Sequence, residues 1–437
     1  MRYLLILSNF DKMNKIYLTI LFVLVQNLIF AQTTKRTCGT MDLLAEMQQK
    51  DSTLQIKIDD FNKRIAQRIQ SKAANKTAED NSLFLIPVVV HVIHNGENIG
   101  EGMNISDEQI FSQIESLNKD FRLLNEDSLD ENHPFWGYTA DCKIEFCLAK
   151  QDEYGNPTNG ITRVYGEVND WTRDEIDEYV KPQTIWNPNK YLNIWTLAFG
   201  GDDSNVLGYA NFPFNATDTT DGVVVAFDKF GVFGNVSYPY DLGRTATHEI
   251  GHYFDLFHIW GDEDCGDDEV ADTEASEKAN DGCPEFPHNA YSSCGSGENG
   301  EMYMNYMDYS DDACLNMFTF GQKERMRTAI QLERFGLLLS DGCDIPSSVS
   351  YIEPRKEVNV FPTPSNDNVF IEMPNFEEIQ TFRLYSITGA DLTTLITSKQ
   401  VSPHGLSLQL TNIDSGYYVF EVSTSNQLFR GNIIVNR

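Results

Sequence analysis

What this chain has little of is positive charge. Its 437 residues carry 33 Lys and Arg against 65 Asp and Glu, a formal net charge of −32. No basic stripe stands ready to meet phosphates, which argues against nucleic acid as a partner. Long apolar runs are equally scarce. Past residue 31 no stretch is long enough to cross a bilayer, so no stable membrane span is expected in the mature form. The start of the chain is different. Ile16 to Ala31 is almost unbroken apolar, follows Lys12 and Lys15, and ends at Ala31-Gln32. That is the layout of a cleaved signal peptide over residues 1–32. Export permits disulfides among the eight cysteines. The length is too great for one compact core and suits two or three domains.

The stretch His248-Glu249-Ile250-Gly251-His252-Tyr253-Phe254-Asp255-Leu256-Phe257-His258 concentrates the chemistry. His248 and His252 are four apart, so on a helix they share one face, one turn apart. Glu249 sits on the shoulder of that face, able to reach a metal-bound water without occupying the metal. His258 is too far along to share the face, so the chain must turn back after Phe254. Three neutral imidazoles plus one water form the open four-coordinate set of a catalytic zinc. A second concentration is acidic: residues 262–277 hold nine Asp or Glu and no Lys or Arg. Such a run is usually a solvated loop, but it also offers the ligands a hard cation such as calcium wants.

Coarse patterning places these motifs. Ile86 to Ile93 is a β-branched run fit for a central strand. Ser106-x-x-Gln109 opens a helix carrying Ile110, Ile114, Leu117 and Phe121. Tyr191 to Phe199 and Val223 to Phe227 read as strands, Thr245 to Phe254 as the active-site helix, and Thr319-x-x-Gln322 as the start of another. The order predicts an α+β domain, a twisted mixed sheet with helices packed on it. His91 and His94 read as core or strand-end histidines. Cys142 and Cys147 are five apart on an expected strand, point to opposite faces and should not pair with each other. The four cysteines between 265 and 314 allow three pairings. From about Ser348 short alternating runs with no helical period (Val369–Met373, Phe382–Ile387, Leu406–Leu410, Tyr417–Val422, Phe429–Val435) predict a small all-β sandwich.

The histidine motif resembles the long zinc signature of the metzincin metallopeptidases, with Asp255 where that family usually has Gly. Asp is among the few other residues that enter the left-handed backbone region the turn needs. Asn305-Tyr306-Met307-Asp308-Tyr309 resembles the methionine turn. With Leu207-Gly208-Tyr209-Ala210-Asn211, Gly243-Arg244-Thr245-Ala246-Thr247 and His258-Ile259-Trp260-Gly261-Asp262 it is similar to the pappalysin (cytophagalysin-like) branch in particular, over roughly residues 83–340. The resemblance implies a zinc endopeptidase acting on protein or peptide substrates. Zinc would be held by His248, His252 and His258, Glu249 would be the general base toward the zinc-bound water, Tyr309 would assist at the oxyanion, and Met307 would pack beneath the metal. It also implies disulfides Cys265–Cys294 and Cys283–Cys314, and calcium near Asp272. With Cys38 set aside, at least one of Cys142, Cys147 and Cys343 then lacks an intramolecular partner.

Residues 33–80 read as a polar, helix-prone pro-segment containing Arg36-Thr37-Cys38-Gly39-Thr40. A thiolate is a strong zinc ligand, and pro-segments in this branch carry a similar Cys-Gly element, which implies that Cys38 ligates zinc in a latent precursor. Activation is then expected by cleavage near Lys63, Arg64, Arg68, Lys72 or Lys76. Residues 81–345 form the expected catalytic domain. Residues 346–437 resemble the C-terminal sorting domain of the type IX secretion system of Bacteroidetes, through Val360-Phe361-Pro362-Thr363-Pro364, Ser386-Ile387-Thr388-Gly389, Ser415-Gly416-Tyr417-Tyr418 and Gly431-Asn432-Ile433-Ile434-Val435. That implies the secretion machinery as a partner and a secreted or cell-surface location. The competing reading is a non-catalytic adhesin or binding protein on a metalloprotease scaffold, against which the complete His248, Glu249, His252, His258 set counts.

Overall fold

The structure is a computed structural model that describes residues 36–74, 82–345, 358–372, 379–386, 391–402, 405–424 and 428–437. The expected signal peptide, Lys76 and the segment joining the two expected domains lie outside the described residues. The chain divides into two compact units, Met1–Pro346 and Ser347–Arg437. No helix among the described residues is long and apolar enough to cross a membrane.

In the first unit, two helices, α1 (Thr40–Lys50) and α2 (Leu54–Ala74), precede the sheet. Strand β1 (Phe84–His94) is its centre. Val88, Val89, Val90 and Val92 are all fully buried, as expected of a strand covered on both faces in a parallel sheet. Helix α3 (Asp107–Phe121) crosses from β1 to β2 (Ile144–Leu148), burying Ile110, Ile114, Leu117 and Phe121 against the sheet. Ser106 caps it by accepting a hydrogen bond from Gln109 N. The Gln109 amide does not close the box; it donates to the carbonyls of Phe227 and Phe230. Strand β3 (Ile161–Tyr165) is an addition to the expected elements; it pairs with the second half of β1 on the edge whose first half holds β2.

On the other edge lie β4 (Leu192–Leu197), then β6 (Val223–Ala226), then the short outer strand β5 (Gly208–Ala210). All pairings are parallel except β5 with β6. The sheet is therefore mixed, and its antiparallel member stands at the edge. Helix α4 (Arg244–Tyr253) packs beneath this edge, and α5 (Phe320–Glu333) follows with the full Thr319–Gln322 capping box. Cys147 is bonded to Cys343, Cys265 to Cys294 and Cys283 to Cys314; Cys142 and Cys38 are free and buried. Cys142 precedes β2 rather than lying on it, and its side chain joins the main core.

The second unit is all-β. One antiparallel sheet joins β7 (Asn359–Phe361), β8 (Asn368–Glu372), β11 (Gly405–Gln409) and β10 (Ser398–Ser402). The other joins β9 (Ile379–Ser386), β12 (Gly416–Thr424) and β13 (Leu428–Val435). Alternate residues from both, among them Val369, Ile371, Leu384, Leu408, Phe420 and Ile433, form one core, as the period of two requires.

His91 is a core residue. Its Nε2 donates to Asn193 Oδ1 at 2.9 Å and its Nδ1 accepts from Thr162 Oγ1 at 2.8 Å. Burial lowers its pKa from 6.5 to about 4. The unfolded chain therefore binds more protons between those values. The stabilisation by neutral His91 is complete above the unfolded value and is lost as pH falls toward the folded one. Between pH 7 and pH 4 the wild type should lose about 3 kcal/mol more stability than His91→Gln, measured by urea unfolding of both proteins. Equal losses would remove His91 as a source of acid sensitivity.

Candidate metal centre

Helix α4 carries His248, Glu249 and His252, all buried. Its place is set by Arg244, which pairs with Asp120 of α3, reaches Asp127 at 3.0 Å and donates to Tyr306 Oη at 3.2 Å. Thr247 Oγ1 also donates to Asp120, at 2.6 Å. After Tyr253 the chain turns back through Asp255 at φ +80°, the left-handed conformation that glycine supplies elsewhere. Arg325 of α5 clamps this residue twice, donating Nε to its carbonyl at 2.7 Å and pairing with its carboxylate at 2.9 Å. Arg334 donates to the carbonyl of Tyr253 at 2.9 Å. Two guanidiniums thus sit on the carbonyl end of α4, where the helix dipole favours positive charge. The turn delivers His258 to the face of His248 and His252.

The three imidazoles converge. His248 Nε2 and His252 Nε2 lie 3.2 and 3.1 Å from His258 Nε2. The other nitrogens are engaged elsewhere: His248 Nδ1 donates to the Tyr306 carbonyl and His252 Nδ1 to the Leu256 carbonyl, each at 2.7 Å, and His258 Nδ1 meets Asp262 Oδ1 at 2.5 Å. For His248 and His252 this leaves lone pairs, not protons, facing the centre. Burial and the neighbouring histidines hold both rings well below their ordinary pKa. Lone pairs facing at this spacing fit a shared cation, because ligands about 2.0–2.1 Å from a tetrahedral zinc lie a little over 3 Å apart. Cys38 Sγ completes the cluster: its ligand atom and those of the three histidines all lie within 4.8 Å of one another, the one such metal-ligand group among the described residues.

Cys38 arrives on an extended segment that pairs with the sheet edge. Leu207 N donates to the Thr37 carbonyl at 2.9 Å and Gly39 N to the Gly208 carbonyl at 2.8 Å, a parallel bridge alongside β5. Alternation aims Arg36 and Cys38 inward together, and Thr40, the buried first residue of α1, follows them. Arg36 is 2% exposed, pairs with the fully buried Asp312 and lies over the Tyr240 ring at 4.9 Å. Asp312 is held in turn by Leu242 N at 2.9 Å and Arg244 N at 3.2 Å. Thr40 Oγ1 donates to Glu249 Oε2 at 2.9 Å and accepts from Ala210 N at 2.9 Å, while the Cys38 thiol lies 3.3 Å from the same carboxylate oxygen. Burial pushes the Glu249 carboxyl up to about 7. Gly208 makes this packing feasible, since a Cβ there would come 2.8 Å from Glu249 Cγ.

Met307 lies under the helix: a Cβ on Gly251 would stand 2.4 Å from its Sδ. Its turn is tied by Met307 N to Asn305 Oδ1 at 3.0 Å, and Asn305 exchanges hydrogen bonds with Gln322. The Tyr309 ring stands 4.9 Å from that of His258, and its hydroxyl accepts from Cys38 N at 3.3 Å. Asp272 is elsewhere. It caps α5, accepting from Thr319 Oγ1 at 2.7 Å and Gly321 N at 2.9 Å. Among the described residues the acidic run gathers no carboxylate cluster of metal-binding spacing, so the calcium expectation gains no support. Arg36, Thr40 and Asp262 lie inside the sequence motifs without a role legible there, because Arg36 and Thr40 meet partners more than 200 residues away; Arg325 lies in none of those motifs.

Comparison with known proteins agrees with this geometry. Residues 174–331 match the peptidase family M43 profile, described as pregnancy-associated plasma protein-A, and residues 359–436 match a secretion system C-terminal sorting domain. An extracellular metalloprotease of Pyricularia oryzae is 31% identical over 269 residues, 60% of this chain and 81% of that protein. One from Verticillium alfalfae is 29% identical, over 68% of this chain and 91% of its own length. Mature mirolysin of Tannerella forsythia, solved with a cleaved peptide, is 43% identical over 60% of this chain and 99% of that one, with a TM-score of 0.53. Promirolysin from the same organism is 41% identical over 70% and 97%, with a TM-score of 0.59.

Breaking the clamp on the turn should be costly. Arg325→Leu leaves the buried Asp255 carboxylate unpaired, an expected loss of about 3–5 kcal/mol in urea unfolding. Asp255→Gly combined with Arg325→Leu should recover most of it. Equal instability of the single and double variants would show that the pair does not hold the turn.

Proposed function

We propose that this chain, which belongs to the pappalysin family of metallopeptidases, is made as a latent precursor in which Cys38 blocks the metal and Glu249 is the general base. At the coarser level the chain is a secreted or cell-surface zinc metalloendopeptidase with a type IX sorting tail. The observation that carries the finer reading is the convergence of Cys38 Sγ on the three histidine ligand atoms. On this reading residues 1–32 are a signal peptide, 33–80 the pro-segment, 81–345 the catalytic domain and 346–437 the sorting domain.

His248, His252 and His258 would hold zinc, which when bound supplies Lewis acidity, acidifying water and polarising a peptide carbonyl. Glu249 takes a proton from the attacking water as its oxygen bonds to the carbonyl carbon. It hands that proton to the amide nitrogen as the C–N bond breaks. The Tyr309 hydroxyl, once released from Cys38 N, donates to the developing oxyanion. In the precursor Cys38 stands where that water is needed, and Thr40 ties up the base.

The pocket holding Arg36 indicates what the enzyme prefers. A fully buried carboxylate, an aromatic wall and a guanidinium already seated between them describe a subsite for a basic side chain. Of the expected cleavage points, Lys63, Arg64, Arg68 and Lys72 lie within helix α2. A protease must open that helix to use them.

Glu249→Gln should keep one zinc per chain and lose about 10²–10⁴-fold in peptide cleavage; wild-type turnover would sink the base assignment. A full-length Cys38→Ala protein should cleave peptides before any processing, and complete latency in that variant would rule out the thiol as the block. Asp312→Asn should lower kcat/KM on arginine peptides by about 10–100-fold while a neutral peptide is little affected. An equal effect on both would point to a general disturbance of the site.

A further inference from the structure

Pulling the leading segment away would uncover more than the metal. Phe212 lies two residues beyond β5, with its ring 5.4 Å from that of His252, stacked on Phe214 at 5.0 Å and 5.1 Å from Phe257. The three rings make a continuous aromatic shelf joined to the metal centre. In the full-length chain it is covered by Leu44, Leu54 and Ile58, which are 4%, 3% and 6% exposed, with Met41 and Met47 packed against the same cluster. A bare patch of this kind beside a catalytic centre is uncommon on a soluble protein unless something binds it, since each aromatic ring carries about 150–250 Å² of surface.

The leading segment also shows how the shelf is placed relative to the rest of the site. It runs parallel to β5, with Arg36 in the Asp312 pocket, Cys38 at the metal-ligand cluster, Thr40 at Ala210 N, and α1 beginning on the shelf. Pocket and shelf therefore lie on opposite sides of the metal centre along one sheet edge. A substrate strand whose basic side chain fills the pocket must pass the centre and continue toward the shelf. Antiparallel pairing with β5, the more stable ladder, puts that basic residue after the scissile bond and the shelf before it. At about 3.3 Å per residue, the shelf meets the side chains two to four residues before the bond.

We propose that Phe212, Phe214 and Phe257 form a second specificity subsite, which receives an apolar side chain of the peptide substrate on the amino-terminal side of the cleaved bond. This rests on the peptidase reading above and adds a ligand class to it: peptides that are apolar before the bond and basic after it. In the precursor the side chains of α1 and α2 occupy the same surface, so one segment fills both subsites and the centre between them.

The test uses zinc-loaded enzyme, prepared from the full-length chain by proteolytic removal of the leading segment. Peptides carry a fixed arginine after the scissile bond, with Leu, Phe, Gly or Asp at each of the second to fourth positions before it. At one or more positions Leu or Phe should raise kcat/KM by about tenfold over Gly or Asp. Phe214→Ser should abolish that preference while the protein still binds one zinc per chain. Phe214→Leu should restore most of it. Arginine-directed cleavage with no apolar preference before the bond would overturn the subsite while leaving the peptidase intact. A preference undiminished in Phe214→Ser, or one found only after the bond, would also overturn it. Co-purification of the cut leading segment with an enzyme lacking the preference would assign the shelf to that segment alone. Zinc-loaded wild type that cleaves none of the peptides would instead reject the underlying reading.

Discussion

Three imidazole nitrogens aimed at one point are the constraint on which the catalytic unit depends. Lone pairs at 3.1–3.2 Å repel unless a cation lies between them, so the fold must hold them against their own repulsion. It does so from behind. Two Nδ1–H groups are committed to the carbonyls of Tyr306 and Leu256, and the third ring is tied to Asp262. Each carbonyl belongs to a segment fixed for another reason, the first to the turn around Met307, tied by Asn305, and the second to the turn at Asp255. The second layer therefore orients the rings and fixes which nitrogen is free.

The turn at Asp255 illustrates how one departure is absorbed. A residue with a side chain in left-handed backbone is strained, and a buried carboxylate adds a desolvation cost. Arg325 meets both by bonding the carbonyl and the carboxylate of the same residue. Burial still keeps the Asp255 carboxyl raised to about 6 despite that partner. The arrangement couples α5 to His258, and through Asn62, which accepts from Arg325 at 2.7 Å, to the leading segment as well.

That segment uses the plainest rule of strands. Pairing its backbone with the edge strand β5 costs it little, because β5 has an open side. Alternation then carries Arg36 to Asp312 and Cys38 to the histidine cluster, and Thr40 at the start of α1 reaches Glu249. A one-residue slip would turn Arg36 and Cys38 away. Register is held by hydrogen bonds at Leu207 and Gly208 and by the helices α1 and α2, whose apolar faces pack on Phe212 and Phe214.

Much of this is legible in the residues alone. The helix of His248, Glu249 and His252, the return of His258, the strand at residues 86–93 and the all-β tail follow from spacing and periodicity, which act within a few residues. The short strands β3, β5, β7 and β10 escape such a reading; each pairs with one strand only, so long-range pairing at a sheet edge selects them rather than their own pattern. The family resemblance implies calcium near Asp272; in the structure that carboxylate accepts from Thr319, 47 residues away, a contact that no local spacing announces. Local spacing thus settles which side chains share a helix face and which chemistry they can perform. It does not settle that Cys147 bonds Cys343, that Arg36 finds Asp312 across 276 residues or that Arg325 holds the turn. Those contacts are chosen by sheet order and packing, which bring together residues that no short-range pattern relates.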